Sequence, residues 1–200
     1  MKLNFGTRGV SARRELDLDH VFAVQDVSSG VLLELGRPAQ AMALLGLQYN
    51  RPFHRDSVFF LLFALGPMVW LSMIGLFAFQ PLPLRAIWSA AFLSVALWQP
   101  LLEELLFRGI LQGYLLQSMG RQKTWHGLSL ANILTSLSFT LAHLASHSIS
   151  WSLLVLIPSL CFGFVRDRFE SVYPSIILHA FYNTGYFLLI DGATLLNFSR

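Results

Sequence analysis

From residue 57 onward the chain alternates long apolar runs with short polar breaks. The first run, Ser57–Phe79, follows Arg51, Arg55 and Asp56 and stops at Pro81 and Pro83. The second begins near Leu84 and continues through Trp98 and Pro100 to Ser118. At about 20 residues per hydrocarbon core this is too long for one ordinary crossing, so a kink at Pro100 or a separate tilted segment is expected. A polar connection, Gly120 to Gly127, precedes a third run at Leu128–Leu144. A fourth covers Ile149–Val165 and a fifth Val172–Ile190, with Arg166, Asp167, Arg168 and Glu170 forming the loop between them. The pattern predicts an all-α fold: a polytopic membrane helical bundle of about five transmembrane helices.

Residues 1–50 contain no run long enough to span. They read as a small N-terminal appendage on the cytosolic side, ahead of a membrane domain over residues 51–200. Residues 20–25 and 31–35 flank a Ser-Ser-Gly turn and suit a short hairpin, and Ala39–Leu47 suits a helix lying on the membrane or on the domain. Loop Lys and Arg residues alternate along the chain: Arg51 and Arg55, Arg85 alone, Arg121 and Lys123, none, then Arg166 and Arg168. With Leu84–Ser118 as one crossing, this places the N-terminus in the cytosol and the C-terminus outside.

Composition sharpens the class. The chain is 54% hydrophobic and 12% charged, with a mean hydropathy of +0.57, against about 25% charged for a soluble domain. A net charge of +3 gives no reason to expect nucleic acid, and the basic residues serve as topology signals. The single cysteine, Cys161, excludes an intrachain disulfide. The first 30 residues hold no apolar core of signal-peptide length, so no cleaved signal is expected.

Glu103 and Glu104 are the only carboxylates between Asp56 and Asp167. A carboxylate inside a membrane segment costs a few kcal/mol or more and marks a candidate site. On a helix Glu104 and Arg108 stand at i and i+4 and can pair, while Glu103 is turned about 100° away and stays free. The plainer alternative is a helix end at the interface, with both acids solvated and Arg108 snorkelling. Phe139 and His143 share the i, i+4 spacing on the third run, and His179 and Asn183 on the fifth. A turn near Lys123 would bring Glu103 and His143 to similar depth. A buried glutamate beside a neutral histidine suits water activation, and His179 with Asn183 offers donors to a developing oxyanion. No serine, threonine or cysteine nucleophile stands out, so direct attack by water fits best among hydrolytic schemes.

Glu103-Glu104-xxx-Arg108, Phe139-xxx-His143 and His179-xxx-Asn183, in this order on successive apolar helices, resemble the CPBP family. That family comprises CAAX proteases and bacteriocin-processing proteins, is also called Abi, and includes the type II CAAX prenyl endopeptidases. Phe107-Arg108-Gly109 and Leu178-His179-Ala180 match as well, and the resemblance covers roughly residues 84–190. It implies an intramembrane endopeptidase acting at the lipid bilayer, in a bacterial inner membrane, on a membrane-anchored protein or peptide precursor. It also implies Glu103 as the base and His143 as its partner in holding the attacking water. His179 and Asn183 would be the oxyanion-stabilising pair, with Glu104 and Arg108 orienting the site and Phe139 packing beneath it.

The family has been described both as metalloproteases and as metal-independent glutamate proteases. No cofactor is favoured here; zinc held by Glu103, His143 and His179 is the alternative. A ligating Glu103 would leave as base only Glu104, which the spacing assigns to Arg108. His147 lies four residues after His143 but beside Ser146 and Ser148, outside the family pattern, and is expected to be solvated. Two other classes compete: a non-catalytic bacteriocin immunity or accessory protein, and an ion-transporting subunit with a Glu/His path. The intact motifs disfavour the first. The lack of a visible inverted repeat or broken midplane helices disfavours the second.

Overall fold

The computed structural model describes residues 38–76, 79–120, 123–125 and 127–198, so the expected hairpin within residues 20–35 lies outside the described residues. Helix α1 (Pro38–Leu45) is followed by α2 (Ser57–Leu76) and by a long helix α3 (Ala90–Met119). A small antiparallel pair, β1 (Lys123–Trp125) and β2 (Leu128–Ser129), leads into α4 (Leu130–His143). Then come α5 (Ile149–Phe169), α6 (Tyr173–Leu189) and α7 (Gly192–Phe198). The five long apolar helices α2 to α6 follow the order of the hydrophobic runs, and the chain is an all-α helical bundle. Ser57–Gly75, Ala90–Met119 and Ile149–Phe169 are long and apolar enough to cross a membrane. The shorter α4 and α6, 14 and 17 residues, pack among them, with α6 against α2, α3 and α5.

Short polar side chains start α2, α4 and α5, because the first N–H groups of a helix have no partner within it. Ser129 accepts from Asn132 N at the start of α4, and Ser148 from Trp151 N at the start of α5. Asp56 accepts from Val58 N at 2.9 Å and Phe59 N at 3.2 Å at the start of α2. One apolar core sits between α2, α5 and α6, formed by Phe59, Phe162, Val165, Phe169 and Leu178. A second joins Leu82, Phe92, Ala96 and Leu195.

Pro100 does not divide α3 into two separate segments. The helix runs continuously for 30 residues but widens to π geometry at Ser94–Trp98 and again at Leu105–Leu111. Gln99 N–H bonds to Ser94 O, five residues back, and this wide turn makes room for a proline that has no N–H of its own. The buried residues of α3 are Phe92, Ala96, Pro100, Glu104, Arg108, Gly109, Gln112 and Gly113, while Trp98, Leu102, Leu106 and Ile110 face outward.

The polar stretch after the fourth run is not a loop. Arg166, Asp167 and Arg168 belong to α5, which continues to Phe169, and of these four charged residues only Glu170, in left-handed conformation, lies in the turn before α6. The side chain of Arg166 is buried, donating to Leu44 O at 2.9 Å and Arg108 O at 3.1 Å. Asp167 accepts from Gln112 Nε2 at 2.8 Å. These charges survive burial because they meet hydrogen-bond partners on α1 and α3, so Arg166 drops out of the loop-charge count.

Close approach fixes how α1 and α4 sit. A Cβ on Gly113 would stand 2.2 Å from Leu44 O, and one on Gly163 would stand 1.9 Å from Asn132 Oδ1. Hydrogen bonds follow that approach: Gln112 Nε2 donates to Gly163 O at 2.9 Å and Asn132 Nδ2 to Leu160 O at 3.0 Å.

Asp56 adds a pH-dependent clamp between α2 and the end of α5. Its carboxylate accepts from Arg168 Nη2 at 2.8 Å, and this hydrogen bond holds its carboxyl below the usual carboxylate range. A group whose folded-state value is lowered stabilises the fold above its unfolded value and loses that contribution as pH falls through the folded value. Acidification below about pH 4 is therefore expected to destabilise wild type more than Asp56→Asn. Thermal unfolding in detergent as a function of pH checks this, and parallel pH curves for the two proteins would refute it.

Candidate active site

The site is built on the regular segment of α3 that lies between the two wide turns, Gln99–Glu104. Adjacent residues on a helix point about 100° apart, so Glu103 and Glu104 meet different surroundings. Glu104 is fully buried, and its Oε1 accepts from Arg108 Nη1 at 2.9 Å and from His179 Nδ1 at 2.8 Å. The first of these bonds is the pairing that the i, i+4 spacing predicts. Glu103 keeps about a third of its side chain exposed, and its Oε2 stands 3.7 Å from His179 Nε2. Two neighbouring carboxylates thus address the two nitrogens of one imidazole.

Arg108 is held from the other side by α5. Its Nη2 donates to Ser159 O at 2.9 Å and to Ser159 Oγ at 2.6 Å. The guanidinium lies 4.6 Å from the centre of the Phe139 ring and 5.5 Å from that of Phe162, a favourable placement for a desolvated cation. The same two rings enclose His179, with Phe162 stacked on it at 4.8 Å and Phe139 edge-on at 6.0 Å. Because a carboxylate only accepts, the bond to Glu104 puts a hydrogen on His179 Nδ1 and turns Nε2 toward Glu103.

His143 is reached through Phe139, whose ring centre is 4.4 Å from its own. Its Nδ1 is 2.9 Å from Phe139 O. A carbonyl only accepts, so the neutral ring carries its hydrogen on Nδ1 and has a bare Nε2. His147 is exposed in the turn that follows α4, with Nδ1 2.9 Å from Ser146 Oγ. Asn183, one turn along α6 from His179, donates from Nδ2 to Val95 O at 3.0 Å in the first wide turn.

Glu103, Glu104, Arg108 and His179 therefore stand in direct contact, Phe139 connects His179 to His143, and Asn183 ties α6 to α3 beside them. Sequence reasoning missed the support from α5. Gln112 extends the Glu104, Arg108 spacing by one more turn. Ser159, Gly163 and Asp167 repeat the same four-residue step on the facing helix, which is the signal that was there to be read. Phe162 carried no such signal. Among the described residues, no three His, Cys, Asp or Glu side chains stand close enough together to hold a metal ion. Glu103, His143 and His179, the alternative zinc ligands named from the sequence, do not form such a group.

A family model described as Type II CAAX prenyl endopeptidase Rce1-like matches residues 85–185, which include all of these motif positions. No curated protein and no solved structure matches the chain.

Proposed function

The chain belongs to the Rce1-like family of type II CAAX prenyl endopeptidases, and on that premise we propose that it cleaves a peptide bond in a membrane-associated protein or peptide precursor with a glutamate-activated water. Glu103 is the base. It takes a proton from water as the water oxygen attacks the scissile carbonyl carbon, then returns that proton to the amine as the tetrahedral intermediate collapses. His143 helps to hold the water through its bare Nε2. His179 and Asn183 stabilise the oxyanion, His179 as the imidazolium, which keeps its Nδ1 hydrogen on Glu104 and offers a second on Nε2, and Asn183 by the amide hydrogen not engaged by Val95 O. Glu104 and Arg108 hold His179 in place, and Phe139 supports both histidines.

One observation carries this reading. Glu103 is the partly exposed carboxylate, and the imidazole next to it is fixed at its other nitrogen by a fully buried ion pair. An orienting carboxylate behind a histidine suits acyl-transfer chemistry, where small misplacements are costly.

The test is cleavage of lipidated CAAX-type peptides by membranes containing wild type or Glu103→Ala. Product is expected with wild type alone; equal product from both, or none from wild type, overturns the proposal. Activity is also expected to persist after exhaustive chelation. Loss on chelation that one equivalent of zinc restores would move Glu103 from base to metal ligand.

A further inference from the structure

Each wide turn of α3 gives up a backbone carbonyl, and a side chain from another helix takes each one up. At the first, Gln99 N–H bonds to Ser94 O, so Val95 O loses the donor four residues on. Five residues on is Pro100, which has no N–H. Asn183 Nδ2 fills the place. At the second, Gln112 N–H bonds to Phe107 O, so Arg108 O loses its α-helical donor in the same way. Arg166 Nε fills that place at 3.1 Å, while its Nη2 holds Leu44 O at the end of α1. Glu103 and Glu104 lie between these two braces.

We propose that Arg166 is a positioning residue for the peptidase reaction: by holding the Arg108 carbonyl it maintains the wide turn that aims Arg108 at Glu104, and so sets His179. A buried carbonyl without a donor is costly. Once Arg166 lets go, the turn is driven toward ordinary α geometry, which changes the angle around the axis between Glu104 and Arg108. The inference rests on the endopeptidase reading for its kinetic effect, but its structural effect is measurable without any substrate.

The experiment compares Arg166→Lys with Arg168→Gln in detergent-solubilised full-length protein. Lysine keeps the charge but loses the fork that reaches two carbonyls. Arg168→Gln breaks the Asp56 pair at the same end of α5 and leaves the Arg108 carbonyl alone. Arg166→Lys is expected to lower kcat about 10- to 100-fold at unchanged KM, and to shift the low-field proton resonance of His179 Nδ1. Arg168→Gln is expected to move neither. Wild-type kcat and an unmoved resonance in Arg166→Lys overturn the proposal. So do losses of kcat in both variants that merely track their thermal stability. If wild type cleaves nothing yet the His179 resonance shifts in Arg166→Lys alone, the positioning role stands and the endopeptidase reading falls. Should Arg166→Lys fail to fold, exchange of the Arg166 Nε–H in wild type decides: slow exchange supports the carbonyl bond and fast exchange overturns it.

Discussion

Glu103→Gln is expected to leave the bundle folded and to stop peptide cleavage. The amide has nearly the shape of the carboxylate, and the position is partly exposed, so no charge is left stranded in the interior. The bonds of Glu104 to Arg108 and His179, and of Arg108 to Ser159, involve other atoms and remain. What the amide lacks is the ability to take a proton from water. A positioned general base is worth about 10²–10⁴-fold, so the residual rate should fall by at least that range. Single-turnover cleavage together with thermal unfolding separates the two effects. A variant that cleaves at the wild-type rate would remove Glu103 from the chemistry.

Glu104→Gln should do the opposite: it should damage the protein before it damages the reaction. It leaves the fully buried Arg108 guanidinium without its carboxylate, and breaking a buried pair from one side costs about 3–5 kcal/mol. The Ser159 bonds and the Phe139 ring offset only part of that. The yield of folded protein and the midpoint of thermal unfolding should both drop well below those of Glu103→Gln. Replacing both partners, as in Glu104→Gln with Arg108→Met, should recover part of the loss, because no uncompensated cation is then buried. Equal yield and equal, complete loss of cleavage for the two glutamine variants would refute the division of labour between the neighbouring acids.

Much of this division can be read from spacing alone. A four-residue step on an apolar helix predicts the Glu104–Arg108 pair, and it leaves Glu103 on another side, because both follow from local helix geometry. The order of the apolar helices is legible for the same reason. Long-range partners are not. The contact of Glu103 with His179 depends on how α6 packs against α3, which no local period encodes. Arg166 was misread because a charge following an apolar run ordinarily marks a loop. Here the carbonyls of Leu44 and Arg108 are waiting for it inside the protein. The wide turn before Pro100 was not legible either, because it depends on a distant partner: Asn183 on α6 takes up Val95 O where the turn widens.

The wide turns also settle a matter of winding. Phe92, Ala96, Pro100, Glu104, Arg108 and Gln112 are all buried, a strict step of four in a helix whose natural step is about 3.6. In an ordinary helix that stripe would drift by about 40° at every step and wrap more than halfway round the axis over this distance. If each wide turn absorbs about one residue, the stretch from Phe92 to Gln112 completes about five whole turns, and the stripe runs straight. The outward row of Trp98, Leu102, Leu106 and Ile110 runs straight with it. By slackening its pitch twice, a single helix keeps one phase from the Leu82–Phe92 core, past both acids, to Gln112 under α5. Closing either wide turn into ordinary α geometry, with every residue kept, would put the two halves of that stripe out of phase by about 100°.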